Sequence, residues 1–364
     1  ARVAPVHFGL IVRGDSLSEF WAMGLVVTCL WAIALLRSRR GLGAPIMLAT
    51  SYAALVLSHN ITALLASPFV VLLVSVTAWH SGCRWRAVIL GTGALVLGLV
   101  LSAWFWGPAL FEQDLVQLGQ QTTGYFDFHG HFRGLNLVQP RLIFDYAITE
   151  QADPFRMGLV EAVLVLLGLV AGVVTARASH LRWVWLAYTA SVVLVTLLIT
   201  PLSLQLWESI PLLPFAQFPW RFLGLQAALA TPLVGLLIEV MPRATWRCIL
   251  AFVVTVLIGV SSMAGLHLDR LLLTETDVTP ERLALFEAFS GNIGGTVRAE
   301  YLPAQMRPRY YTSPQLVDRE PNPQPWALDG GSLDAQALAR SAGSQRWQID
   351  MATKGSVVFP TTCY

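Results

Sequence analysis

Charge is scarce in this sequence: 13% of its 364 residues are Asp, Glu, Lys or Arg, against roughly 25% in a soluble globular domain. Lysine is nearly absent, Lys354 being the only one, and the formal net charge is +2. So small a surplus gives no electrostatic reason to expect a nucleic-acid partner. The four cysteines, Cys29, Cys83, Cys248 and Cys363, show no CxxC spacing, and no disulfide framework is expected from them. No basic stretch precedes a short apolar segment at the start, so no signal peptide sets the orientation of the chain.

What fills the sequence instead is apolar side chain, 55% of all residues, with a mean hydropathy of +0.59. The apolar runs are hydrophobic all round and near the roughly 20 residues that a bilayer requires. They predict an all-α polytopic transmembrane bundle of about eight helices, at 19–36, 44–58, 61–79, 87–106, 158–175, 183–200, 222–241 and 248–266. Four short loops between them are basic: Arg37, Arg39 and Arg40; Arg84 and Arg86; Arg177 and Arg182; Arg243 and Arg247. With eight spans all four fall on one face, which the positive-inside rule makes cytoplasmic. The stretch from Ile46 to Trp79 has no charged residue and is too long for one helix. One pass there would separate the first two basic loops, so the chain must turn back, at Ser58-His59-Asn60, with Asn60 as the expected N-cap.

This topology places the start of the chain, the loop 107–157 and everything after Leu268 outside, and an external start without a signal implies upstream spans missing from a fragment. The expected division is a transmembrane domain over 1–268 and an extracytoplasmic, partly β module over 269–364, itself truncated. In that module Thr279-Pro280-Glu281 caps a short helix carrying Leu283, Phe286 and Phe289, stopped by Gly291 and Asn292. Trp347, Ile349 and Met351 alternate, Thr353-Lys354-Gly355 turns, and Val357-Val358-Phe359 returns, which predicts a β-hairpin.

Polar residues at the external ends of spans are the candidates for function. His59 and Asn60 either line a cavity or simply satisfy helix ends. Arg221 opens a helix on the face where arginine is disfavoured; it either grips an anionic phosphate through its planar fork or snorkels beside an interfacial Trp220. Arg13 and Arg141 are weaker candidates for the same task. Glu19 and Glu112 are the candidate catalytic carboxylates, against the plain reading of hydrated groups near helix ends. Glu161 and Glu239 lie near span ends, where the midplane cost is escaped. Trp104 and Trp106 read as belt aromatics. Glu300 and Tyr301 follow a Gly-rich stretch lacking the Lys and Ser/Thr of a phosphate loop, and read as docking residues.

Several strings together resemble one bacterial membrane-protein family. They are Arg13-Gly14 with Glu19, Ser58-His59-Asn60, Phe105-Trp106-Gly107-Pro108 with Glu112, Phe218-Pro219-Trp220-Arg221, and Glu300-Tyr301-Leu302-Pro303. In this order they resemble the 6-pyruvoyl-tetrahydropterin-synthase-related family, whose architecture is similar to GT-C glycosyltransferases. The resemblance implies a multi-pass protein of the bacterial plasma membrane. Its GT-C relatives transfer sugar from polyprenyl-phosphate donors at the outer face, with a catalytic acid in the first external loop. That loop precedes this sequence, so its acid maps onto no residue here and the fragment itself is expected to be inactive. His129-Gly130-His131 matches the HxH zinc pair of soluble pterin synthases, but no third ligand accompanies it, and solvated loop histidines are the simpler reading. No cofactor is named by any motif. Membrane lipid, with a polyprenyl-phosphate sugar as candidate ligand, is the implied partner; a transporter or flippase and a scaffold for envelope assembly are the alternatives.

Overall fold

The apolar runs fold as helices, one of them in two pieces. The fold was obtained as a computed structural model that describes residues 5–12, 16–38, 41–82, 84–149, 153–266, 272–279, 282, 301, 304, 324–327, 331–340 and 345–359. Arg13, Cys83, Glu300 and the helix expected after Thr279 lie outside the described residues. The helices are α1 (Pro5–Val12), α2 (Leu17–Ser38), α3 (Gly43–Ser58), α4 (Asn60–Trp79), α5 (Arg84–Leu101), α6 (Ala103–Phe111), α7 (Leu159–Ala178), α8 (Arg182–Leu198), α9 (Leu204–Ser209), α10 (Phe222–Glu239) and α11 (Ala244–Met263).

Six of them, α2, α4, α5, α7, α10 and α11, are long and apolar enough to cross a bilayer, and α8 with α9 makes a seventh candidate, bent by 96°. Against the expected count of about eight, six or seven are long enough by themselves. α3 has 16 residues, which at 1.5 Å per residue reach about 24 Å of a hydrocarbon core about 30 Å thick. The run expected at 87–106 also breaks, at Ser102, whose hydroxyl donates back to the Gly98 carbonyl at 3.0 Å.

The chain divides into two compact units, one of 1–110 and 122–269, the other of 111–121 and 270–364. In the first, α2 packs on α3 and α4, and both of those pack on α5; α7, α8 and α10 form a second group, joined to the first through α4–α8 and α2–α10. Their shared core holds Val26, Cys29, Ile33, Leu55, Leu73, Val192, Val195, Phe222 and Leu229, all essentially inaccessible. Small residues allow the close approach: a Cβ at Gly172 of α7 would lie 2.4 Å from Thr189 Oγ1 and 2.9 Å from Leu233 Cδ2. This is the small-xxx-small packing common between membrane helices, with Gly168 one turn earlier against the Val234 backbone.

The loop between α6 and α7 is held by buried Arg133, which donates to the Phe155 carbonyl at 3.1 Å and to Asp153 Oδ2 at 2.8 Å. Its own N–H reaches the Ile199 carbonyl at the end of α8 at 2.9 Å. Two short parallel strands, β1 (Val138–Gln139) and β2 (Met157–Gly158), close the base of that loop.

In the second unit, β3 (Trp326–Ala327), β4 (Leu333–Arg340), β5 (Gln345–Met351) and β6 (Val357–Val358) form two antiparallel pairs. The alternation at Trp347, Ile349 and Met351 is a strand as expected, but its partner differs. β5 pairs with β4, from Leu333↔Met351 to Arg340↔Gln345, while β6 pairs with β3. The preceding eight-residue strand offers β5 a full ladder, and two-residue β6 does not.

Candidate functional site

Three helices begin at the same place. α2 starts at Leu17, α4 at Asn60 and α10 at Phe222, and the first turn or cap of each presents one of three polar groups, Glu19, His59 and Arg221. Glu19 Oε2 lies 3.6 Å from Arg221 Nε and 4.0 Å from His59 Nε2. The carboxylate is 2% exposed, the arginine side chain 13% and the imidazole 14%, so the group sits inside the bundle end and not on its surface. The hydrated reading of Glu19 is overturned: packing of α2 against α4 and α10 closes over it, and a hydrogen bond from Ser16 adds to its ion pair.

His59, not Asn60, is the N-cap of α4. Its backbone is extended (φ −157°, ψ 100°), and Nδ1 accepts the Thr62 N–H at 3.2 Å. Asn60 is already helical and exposed, with its Oδ1 accepting the Ile61 N–H at 2.8 Å. Because Nδ1 accepts, the proton of the neutral ring is on Nε2, the atom that faces Glu19. Burial first, and the Arg221 charge second, push the His59 imidazole down to about 4.

Arg221 ends a 3₁₀ turn over Pro219–Arg221 and is held on both sides. Its Nη1 donates to the Ala216 carbonyl at 2.8 Å and to Gln217 Oε1 at 2.9 Å, and its guanidinium carbon lies 5.0 Å from the Phe218 ring centre. The Ala216 oxygen also accepts the Phe218 N–H at 2.6 Å across Gln217, whose φ is 64° and ψ −51°. That is a γ-turn of the rare, strained positive-φ kind. Arg221 therefore braces a strained backbone, a device that residue patterns do not announce.

The anchoring reading of Trp220 and Arg221 does not hold. Trp220 is buried, stacked on Phe155 at 3.8 Å and Phe218 at 5.1 Å, so neither side chain snorkels. Trp104 is 72% exposed, and Trp106 donates its Nε1–H to the Leu99 carbonyl at 2.9 Å. Arg141 pairs with Asp145 four residues on, and exposed Glu239 pairs with Arg247 at 2.9 Å. Glu161, at the first turn of α7, is buried despite lying at a helix end.

Glu112 belongs to the second compact unit, where it is exposed and precedes a 3₁₀ turn at Gln113–Leu115. His129 and His131 do not join as a metal pair: His129 Nδ1 is 2.6 Å from Asp127 Oδ1, and His131 Nε2 is 2.7 Å from the Tyr125 carbonyl. Among the described residues no group of three His, Cys, Asp or Glu is placed to hold a metal ion. His129 is also no free loop histidine, since Nε2 faces Glu208 Oε1 at 3.6 Å. Asp127, Glu208 and Gln217 are the site-forming residues that sequence reading missed.

Comparison with protein-family profiles, curated proteins and solved structures finds no match to this chain.

Proposed function

We propose that this multi-pass membrane protein holds, at the external end of its bundle, the phosphate headgroup of a polyprenyl-linked sugar, as a GT-C-like glycosyltransferase or a non-catalytic relative. The convergence of Glu19, His59 and Arg221 on three helix N-termini carries this reading. Helix N-termini present partial positive charge and favour phosphate. Glu19 balances the Arg221 charge. A bound phosphate takes over that guanidinium through charge-assisted hydrogen bonds, His59 Nε2–H supplies a further donor, and Glu19 becomes the carboxylate placed to accept a proton. Glu19 thus replaces Glu112 as the first candidate base. The arginine-rich loops at the opposite helix ends support an external placement of this end.

Affinity of the full chain in lipid nanodiscs for a polyprenyl-phosphate sugar tests the reading. Arg221→Ala should weaken it by about 1.5–3 kcal/mol, the range for hydrogen bonds to charged groups. Unchanged affinity in a folded Arg221→Ala protein removes the headgroup site.

A further inference from the structure

The loop from Thr122 to Phe132 connects two places in the first unit. At one end of it, Asp127 Oδ1 accepts the His129 backbone N–H at 3.1 Å and stands 2.6 Å from its ring Nδ1. The other ring nitrogen faces Glu208 of α9 at 3.6 Å. Both contacts are favourable together only when both nitrogens carry hydrogen, that is, in the imidazolium. The ring also stacks on Phe128 at 4.1 Å, Phe128 stacks on Trp207 at 5.1 Å, and Trp207 Nε1 donates to the Leu198 carbonyl at 3.0 Å. A proton on His129 therefore adds a charge-assisted tie between the loop and α9, across a helix break.

At the other end, His131 and Tyr125 meet the Phe218 ring edge-on, with centroids 4.7 and 5.6 Å away. Phe218 is the ring against which the Arg221 guanidinium rests. The same short loop thus bears on α9 and on the platform of the charged site.

We propose that His129, held between Asp127 and Glu208, is a proton-dependent latch that pins the 122–132 loop onto α9 and regulates access to the site of Arg221. Its value as a gate rests on the headgroup reading above; the latch itself does not. Asp127 faces the ring from its own turn and Glu208 from α9, while His131 faces Asp127 from the same turn. The hydrogen bond with Asp127 raises the His129 pKa and lowers that of Asp127. Tightening is thus complete below the ordinary histidine value of about 6.5 and is lost as pH rises through the raised value.

Hydrogen–deuterium exchange of the full chain in nanodiscs, corrected for the intrinsic pH dependence of exchange, reads the latch without any ligand. Between about pH 6 and about pH 9, peptides covering 122–132 and 204–209 should lose protection by roughly two- to tenfold, the scale of two exposed ion pairs, while α7 does not change. Glu208→Gln should abolish most of that step by opening the loop already at the lower pH, and His129→Gln should do the same. A wild-type loop whose protection is independent of pH overturns the latch, as does an undiminished step in Glu208→Gln; the wild-type measurement needs no variant to fold. Polyprenyl phosphate should associate faster at the higher pH. Equal association rates despite an intact exchange step overturn the gating role. Arg221→Ala binding polyprenyl phosphate normally, with the step intact, defeats the headgroup reading and leaves the latch standing.

Discussion

Glu19 and Arg221 meet 3.6 Å apart where the starts of α2 and α10 pack together. Removing one member of such a buried pair strands the other charge, at a cost of about 3–5 kcal/mol, whereas replacing both by apolar groups is far less harmful. The Glu19→Leu, Arg221→Met double variant should therefore lose less stability than the sum of the Glu19→Leu and Arg221→Met losses, since Arg221 also holds Ala216 and Gln217. Denaturant unfolding in micelles measures this. A Glu19→Leu loss under about 1 kcal/mol, below the low end of the range for a broken buried pair, would mean that the carboxylate is solvated after all.

The γ-turn at Gln217 gives an unusual ordering of substitutions. Holding a non-glycine residue at φ 64° costs on the order of 1–3 kcal/mol. The Oε1 contact to Arg221 returns about 1.5–3 kcal/mol. Gln217→Ala keeps the strain and loses the contact, while Gln217→Gly loses both. Glycine should be the better tolerated of the two by roughly 1 kcal/mol or more, although alanine is the larger and more helix-favouring residue. Melting temperatures of the two variants decide it, and alanine proving equal or better would remove the strain.

His59 makes stability depend on pH with a definite sign. Its folded value of about 4 lies below the unfolded value of about 6.5, so the unfolded chain takes up the proton first as pH falls. Stability is complete above about pH 6.5 and declines toward pH 4, by up to about 3 kcal/mol. His59→Asn keeps a capping side chain and should flatten that slope. Unfolding measured near pH 7.5 and near pH 4.5 in both proteins tests it; parallel slopes would assign the acid sensitivity to other groups.

The helices were legible because the bilayer imposes a length and an apolar composition that a sequence cannot hide, and the positions of α2 to α5 follow from them. The shortness of α3 was legible too, though its consequence for the span count was not. What escaped reading has a physical cause in each case. Asn60 outranks His59 as an N-cap on intrinsic preference, and only burial beside Glu19 makes the imidazole the better fit. Glu19 looked hydrated because it sits at a helix start; its burial depends on α10, far away in sequence. The γ-turn at Gln217 has no residue signature, since glutamine is not a positive-φ residue. β5 was recognised by its alternation, but a ladder partner is set by the neighbouring strand's length, and β4 is the longer one.

The side of the membrane on which these groups lie leads to the last prediction. Arg37 Nη2 and His180 Nε2 are 3.1 Å apart, bringing the end of α2 to the loop between α7 and α8. Arg84 rests over Trp79 at 4.0 Å and Arg182 over Trp183 at 5.0 Å, the pairing of cation and indole suited to a headgroup layer. Arg37 lies at the C-terminal end of α2, His180 follows α7, and Arg84 and Arg182 open α5 and α8. Glu19, His59 and Arg221 mark the opposite ends of α2, α4 and α10. The positive-inside rule predicts that the arginine end faces the cytoplasm. In a variant lacking the native cysteines, an impermeant thiol reagent added to intact cells should modify Tyr125→Cys and spare His180→Cys until the membrane is permeabilised. Both positions are exposed, so burial does not confuse the result. The reverse pattern would turn the charged site toward the cytoplasm, where a donor presented at the outer face does not reach it, and the proposed function would fall with the topology.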